Sequence, residues 1–174
     1  MNLTHAEAAV KIQPMPEKKV ILLVEDSEIV REMTRLALME AGYEVRTAVG
    51  NIDLEKQINA NPGVLQGLDL IVLDMELEET HESQREDKDG SHQGVYMTGS
   101  QLGATLAFAH PQLKTVPFLI YSGKDLDEIQ AHLDELKEFA QLDDQIKNNF
   151  KGFVPKQAGG ESALVEKIQQ ILSG

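Results

Sequence analysis

Alternation of short apolar runs with helix-like segments, repeated five times, constrains the fold of this chain more than any other feature. The runs are rich in Val, Ile and Leu, which is typical of strands buried on both faces of a parallel sheet. The predicted strands are 20–24, 43–49, 69–73, 116–121 and 152–155. This alternation predicts an α/β fold with three layers, a doubly wound five-stranded parallel sheet between two layers of helices.

The amino-acid composition limits the classes of molecule that this protein is expected to bind. The 174 residues carry a net charge of −13, which argues against direct binding of nucleic acid or of anionic membrane surfaces. There is no cysteine, so no disulfide framework or thiolate chemistry is expected. No apolar run is long enough for a transmembrane helix, and no signal peptide is evident, so we expect a cytoplasmic protein.

Three segments depart from the regular alternation. Residues 1–18 contain Pro14 and Pro16 and are interpreted as an N-terminal extension or linker. Residues 76–93 are acidic and nearly free of apolar side chains, which predicts a long mobile loop. Residues 125–150 predict an extended fourth helix. A single domain is expected from about residue 19 to residue 174.

Polar residues follow four of the apolar runs, where each predicted strand ends. These residues are Glu25 and Asp26, Asp74, Ser122, and Lys156. Ligands bind outside the carboxyl ends of the strands in open α/β sheets, so we expect these side chains at one edge. Three carboxylates suit a hard divalent cation such as Mg²⁺ or Mn²⁺.

The same set suits phosphoryl chemistry. A carboxylate can act as a nucleophile and form an aspartyl phosphate, and Asp74 is the best candidate because its strand is the most apolar. The Ser122 hydroxyl can donate a hydrogen bond to a phosphoryl oxygen, and the Lys156 ammonium can pair with another. Gly123 leaves room for a close approach of the backbone. Each residue alone has an ordinary structural explanation, and the joint pattern carries the prediction.

The order of these residues resembles the receiver domain of two-component response regulators, in particular single-domain, chemotaxis-regulator-like receivers. The similar segments are VILLVEDSEIVRE, LIVLDMEL, VPFLIYSGK and KGFVPKQ. The resemblance covers about residues 19–174, with the two insertions. It implies a flavodoxin-like fold with strand order 2-1-3-4-5.

The resemblance also implies roles for the acidic residues. Asp74 would accept a phosphoryl group from a histidine kinase or a histidine phosphotransfer protein. Asp26 and Asp74 would bind Mg²⁺ directly and Glu25 through water, with the backbone carbonyl of Glu76 completing the protein ligands. 

The remaining roles concern the phosphoryl group and the response to it. Ser122 and Lys156 would contact the phosphoryl oxygens, beside Gly123, and Ser122 would move toward them. Phe153 occupies the position of the family's switch aromatic, although a core aromatic is equally compatible with the sequence. The chain departs from the family at Gln157, because receivers usually carry proline after the lysine.

Three functions follow from these observations. The leading one is a stand-alone receiver that is not an enzyme for other substrates and signals through protein–protein contacts, as a monomer or a homodimer, with an output partner that the sequence does not name. One alternative is a pseudo-receiver, a binding module that is never phosphorylated. The other is a phosphatase-type hydrolase with an aspartyl-phosphate intermediate, for which Glu76 would be the second acid.

Overall fold

The computed structural model describes residues 17–79, 95–98, 103, 109–124, 127–128, 148–157 and 159–174. Within these ranges the strands are β1 (Val20–Val24), β2 (Glu44–Ala48), β3 (Leu68–Asp74), β4 (Glu76–Glu79), β5 (Val95–Thr98), β6 (Phe118–Ser122) and β7 (Phe150–Pro155). The helices whose bounds lie within these ranges are α1 (Glu28–Glu40), α2 (Asn51–Ala60) and α3 (Gly160–Ser173). Two short 3₁₀ helices span Pro62–Leu65 and Pro111–Leu113.

Five parallel strands form the main sheet in the spatial order β2-β1-β3-β6-β7. The strands β4 and β5 form a separate sheet. When only the five strands of the main sheet are numbered along the chain, their order is the predicted 2-1-3-4-5, and the α/β fold class is confirmed. Asp74 at the end of β3 pairs with Tyr121, and Ser122 pairs with Pro155. The register therefore brings the carboxyl ends of the central strands to one edge, with β3 in the middle of the sheet.

Alternate strand residues point to opposite faces and build two apolar clusters. The α2-side cluster comprises Val20, Leu22, Val24, Ala48, Leu54, Leu65, Leu68, Ile71, Leu73, Met75, Leu77, Leu113, Phe118 and Ile120. The α1/α3-side cluster comprises Ile21, Leu23, Leu38, Leu70, Val72, Leu119, Tyr121, Val154, Leu164 and Ile168. Because β1 and β3 contribute to both clusters, their backbone is held from two sides directly beneath the polar edge.

The starts of α1 and α2 differ in how they are capped. Ser27 accepts a hydrogen bond from the Val30 backbone N–H, as expected for an N-cap residue. Asn51 is the first residue of α2, and Gly50, which precedes it, provides no side-chain cap. The Asp53 carboxylate accepts a hydrogen bond from the Val49 N–H at 2.9 Å. A side chain in the first turn of α2 thus pairs with a backbone N–H that precedes the helix.

An antiparallel hairpin follows Asp74, where the sequence predicts the start of a long loop. Residues 76–79 form β4, which pairs with β5 from Glu76 opposite Thr98 to Glu79 opposite Val95. Leu77 is completely buried in the α2-side cluster, and this apolar anchor within an acidic segment explains why the loop prediction is wrong for 76–79. Residues 80–93 of the predicted loop lie outside the described residues.

Other sequence predictions fall partly outside the described ranges. Of the N-terminal extension, only residues 17–18 are described. Within the predicted fourth helix, residues 127–128 and 148–149 are helical, whereas Phe150 is the first residue of β7 rather than the end of a helix. Among the described residues, no helix has the length and apolar character needed to cross a membrane.

Candidate functional site

Three carboxylates meet at the carboxyl edge of the central strands. Glu25 and Asp26 directly follow β1, and Asp74 ends β3. One oxygen from each carboxylate lies within 4.8 Å of the other two. Glu25 is 1% exposed and Asp74 is 7% exposed, so the cluster is largely withdrawn from water. The predicted convergence of these acids from two strands is present in the structure.

Backbone contacts fix the loop that carries Glu25 and Asp26. The Glu25 N–H donates to the Ala48 carbonyl at 3.0 Å, which continues the pairing of β1 with β2. The Glu25 carboxylate accepts the Ser27 N–H at 3.2 Å. Arg31, on the first turns of α1, donates from one Nη1 to the carbonyls of Glu25 at 2.7 Å and Asp26 at 3.1 Å. The sequence does not identify Arg31 as part of the site. The only feature that points to it is its position one turn after the helix cap Ser27.

Lys156 reaches the carboxylates from the fifth strand of the main sheet. Its Nζ lies 2.6 Å from a Glu25 oxygen and 2.9 Å from an Asp74 oxygen. The Lys156 backbone N–H donates to the Ser122 carbonyl at 2.6 Å, which extends the pairing of β6 and β7 by one bond. The pairing of β6 with β7 therefore directs Lys156 toward the carboxylates. Gln157 follows this lysine, and the peptide bonds on either side of Lys156 are trans.

The other predicted site residues lie on β6 and β7 or directly after β6: Ser122 ends β6, Gly123 follows it, and Phe153 lies within β7. Ser122 is buried, and its hydroxyl accepts the Lys124 N–H at 3.1 Å. Gly123 is exposed, with open space where a side chain would begin. Phe153 is partly buried, pairs with Ile120 and packs against the α2-side cluster. Glu76 lies in β4, two residues after Asp74.

The electrostatics of the cluster favour a cation. Burial, together with the neighbouring Asp74 charge, raises the pKa of Glu25 to about 7, and the contact with Lys156 opposes that rise. The Lys156 ammonium contacts two of the three clustered acids, Glu25 and Asp74, so the acidic groups of the cluster outnumber this ammonium. Oxygen donors with this excess suit Mg²⁺ or another hard divalent cation, which would relieve the repulsion. The residues present therefore fit a divalent cation.

An aromatic ring completes the surroundings of Lys156. Tyr121, the residue before Ser122, is 2% exposed, and its ring centroid lies 5.6 Å below the Lys156 Nζ. Sequence reasoning placed Tyr121 in a strand without assigning it a role. Nothing in the sequence pattern pairs a strand residue with a lysine 35 positions later, because this contact exists only through the pairing of β6 with β7.

Comparison with known proteins sets this geometry in context. No protein-family model matches the chain, and no curated protein matches it. Solved structures do match. The chemotaxis protein CheY4 of Vibrio cholerae superposes with a TM-score of 0.59 at 20% identity, covering 90% of this chain and 100% of that one. The chain has the receiver-domain fold.

Further solved structures agree with this fold. A CheY-like receiver domain protein of Methanospirillum hungatei has a TM-score of 0.58 at 18% identity, covering 90% of this chain and 95% of that one. A receiver domain protein of Clostridium thermocellum has a TM-score of 0.56 at 14% identity, covering 89% and 94%. The resemblance predicted from the four sequence segments is thus confirmed at the level of the receiver fold.

Proposed function

We propose that this chain is a receiver that accepts a phosphoryl group on Asp74 in a reaction that depends on a divalent cation, and that it signals through protein–protein contacts. One observation carries the proposal. Asp74 shares a cluster with buried Glu25 and partly buried Asp26, and the Lys156 ammonium lies 2.9 Å from its carboxylate. A nucleophilic carboxylate, a cation site and a positive side chain thereby occupy one sheet edge.

Glu25, Asp26 and Asp74, with the backbone carbonyl of Glu76, would hold Mg²⁺ or Mn²⁺. When bound, the cation supplies charge neutralisation and polarises a phosphoryl oxygen. An Asp74 carboxylate oxygen attacks phosphorus, so a new P–O bond forms while the P–N bond of a phosphohistidine donor breaks. The released imidazole nitrogen takes up a proton.

Ser122, Lys156 and Gly123 would receive the oxygens of the transferred group. Lys156 supplies positive charge from its position beside Asp74. The Ser122 hydroxyl moves to donate a hydrogen bond, and the exposed Gly123 leaves its backbone accessible. Phe153, which packs beside Ile120, then responds to the movement of Ser122 as the switch that partners read.

The phosphoryl donor is a histidine kinase or a histidine phosphotransfer protein that contacts α1. Ile29 is 73% exposed, and three further large apolar residues, Met33, Leu36 and Met39, are exposed on the same helix. Apolar residues clustered on a surface mark protein contacts. Ile29 lies three residues after Asp26, so a protein covering this face reaches the acidic cluster.

The contribution of α1 is tested with two donors. With a purified histidine kinase that phosphorylates the wild type, Ile29→Asp is expected to slow transfer roughly tenfold, a typical effect for an interface anchor. Reaction with acetyl phosphate, which needs no protein contact, serves as the reference and is expected to slow far less. Equal slowing with both donors would remove α1 from the proposal.

Intact-mass spectrometry after incubation with acetyl phosphate and Mg²⁺ tests the function. The wild type is expected to gain one phosphate increment, and chelation by EDTA is expected to abolish it. Asp74→Ala is expected to gain none, whereas Asp69→Asn, a change at the opposite end of the same strand, is expected to be labelled.

Two other results point to different functions. A folded wild type that binds Mg²⁺ and never gains phosphate would be a binding module rather than a phosphoacceptor. Multiple turnover of a phosphate ester such as para-nitrophenyl phosphate, lost in Asp74→Ala, would identify a hydrolase with an aspartyl-phosphate intermediate.

A further inference from the structure

Two ion pairs, with the Glu25 and Asp74 carboxylates, hold Lys156 at the site. Its Nζ contacts Glu25 at 2.6 Å and Asp74 at 2.9 Å, and its side chain is 16% exposed. A lysine carries four rotatable side-chain bonds, and fixing them costs conformational entropy. Because both partners are also candidate cation ligands, these ion pairs alone do not secure the ammonium once a cation competes for the same oxygens.

The Tyr121 ring provides a contact that no cation competes for. The Lys156 Nζ lies over this ring at 5.6 Å from its centroid, within the range of a cation–π interaction. Tyr121 lies between its register partners, Asp74 on β3 and Val154 on β7. The ring is therefore anchored on the strand between the acceptor aspartate and the lysine.

The position of the ring is set by elements on both sides. A Cβ atom on Gly160, the first residue of α3, would lie 3.1 Å from the Tyr121 hydroxyl and 2.9 Å from the Pro155 carbonyl oxygen. Glycine at 160 thus makes room for the phenol. Burial raises the pKa of Tyr121 to about 12, and the charge of nearby Glu161 adds to that rise, so the phenol stays neutral at physiological pH.

The opposite side of the phenol faces α1. Thr34 on α1 is completely buried, and its hydroxyl lies close enough to Tyr121 to oppose part of the rise in the pKa of the phenol. Residues of α1 and α3 therefore enclose the phenol end of the ring, while its face lies under Lys156. An aliphatic side chain at 121 would fill the core without presenting a negative face to the ammonium.

We propose that Tyr121 is a positioning residue for Lys156, and that its ring face keeps the ammonium beside Asp74 when a cation occupies the carboxylates. This inference rests on the proposed function, because its consequence is the rate at which Asp74 is phosphorylated. The contact itself is a property of the folded chain and is measurable without any phosphoryl donor.

The contact is tested first by NMR on the full chain labelled with ¹³C at the lysine ε-carbons. Lys156→Arg assigns the Lys156 signal. Its ε-methylene protons are expected to be shifted upfield by the ring current in the wild type and in Tyr121→Phe, and to return to the position of an ordinary lysine in Tyr121→Leu. Tyr43→Leu is the matched control, because Tyr43 packs against the same α1/α3-side cluster.

The phosphorylation rate with acetyl phosphate and Mg²⁺ is then measured for the same variants. Tyr121→Leu is expected to be roughly tenfold slower, the size expected from loss of a desolvated cation–π contact. Tyr121→Phe is expected to keep the wild-type rate, and so is Tyr43→Leu, which removes a partly buried ring from the same cluster without touching Lys156. If Tyr121→Leu does not fold, Tyr121→Met replaces it as a ringless variant whose longer, more flexible side chain fills irregular space.

The outcomes separate this inference from the proposed function. An unshifted Lys156 signal in the wild type, or a wild-type rate in the ringless variant, would overturn the positioning role. Equal slowing of Tyr43→Leu and Tyr121→Leu would do the same, because it would identify a general loss of core packing. A wild type that shows the ring-current shift but is never phosphorylated would remove the proposed function, and with it the role in phosphorylation, while leaving the contact established.

Discussion

The buried carboxylate of Glu25 predicts an unusual dependence of stability on pH. Its pKa is about 7 in the folded chain and 4.5 for an unperturbed glutamate, so the folded state binds more protons between these values. Stability therefore falls as pH rises through this window. Between pH 5.0 and 7.5 the loss from this one group amounts to about 2 kcal/mol, worked from the pKa difference.

The assay is urea unfolding of the protein in EDTA at pH 5.0 and 7.5. Glu25→Gln is expected to remove about 2 kcal/mol of the pH dependence, because the amide does not ionise. Millimolar Mg²⁺ at pH 7.5 is expected to stabilise the wild type by binding only the folded state. The matched control is Glu32→Gln, an exposed acid whose pKa is lowered by its contact with Arg35. The same change in free energy of unfolding with pH in wild type and Glu25→Gln would show that Glu25 is not the group responsible.

Three further changes test the packing around the site. Gly160→Ala places a Cβ against the Pro155 carbonyl and is expected to reduce the free energy of unfolding by about 1–3 kcal/mol, measured in urea; an unchanged value would contradict the close approach. Arg31→Met loses two hydrogen bonds to the acidic loop and is expected to weaken Mg²⁺ binding about tenfold by calorimetry, whereas Arg35→Met, which breaks an exposed ion pair, should not. Asp69→Ala loses the bond from the Val20 N–H and is expected to cost about 1–2 kcal/mol in urea; wild-type stability would show that bond to be dispensable.

Much of the fold follows from the sequence because apolar runs and their polar ends are local signals. The strand order and the central position of β3 agree with the prediction. The observed bounds of the five strands of the main sheet differ from the predicted bounds by no more than two residues. The sequence does not indicate the hairpin strand Glu76–Glu79, because four residues with a single buried leucine resemble a loop by composition.

The site was predictable only in part, for a physical reason. Carboxylates at strand ends are visible in one dimension, and parallel pairing then brings them together. The contacts that hold them are made by side chains from other elements. Arg31 reaches back from α1 to two carbonyls, and Tyr121 meets Lys156 only after β6 pairs with β7. Neither contact corresponds to a fixed sequence spacing, so a single sequence does not predict it.

The direct test of the account is to find which carboxylate carries the phosphoryl group. Borohydride reduces an acyl phosphate and converts the acceptor aspartate to homoserine, which peptide mass spectrometry then locates. After treatment with acetyl phosphate and Mg²⁺, we expect homoserine at position 74 alone. Homoserine at position 26, or no reduced residue in a protein that has bound Mg²⁺, would contradict it.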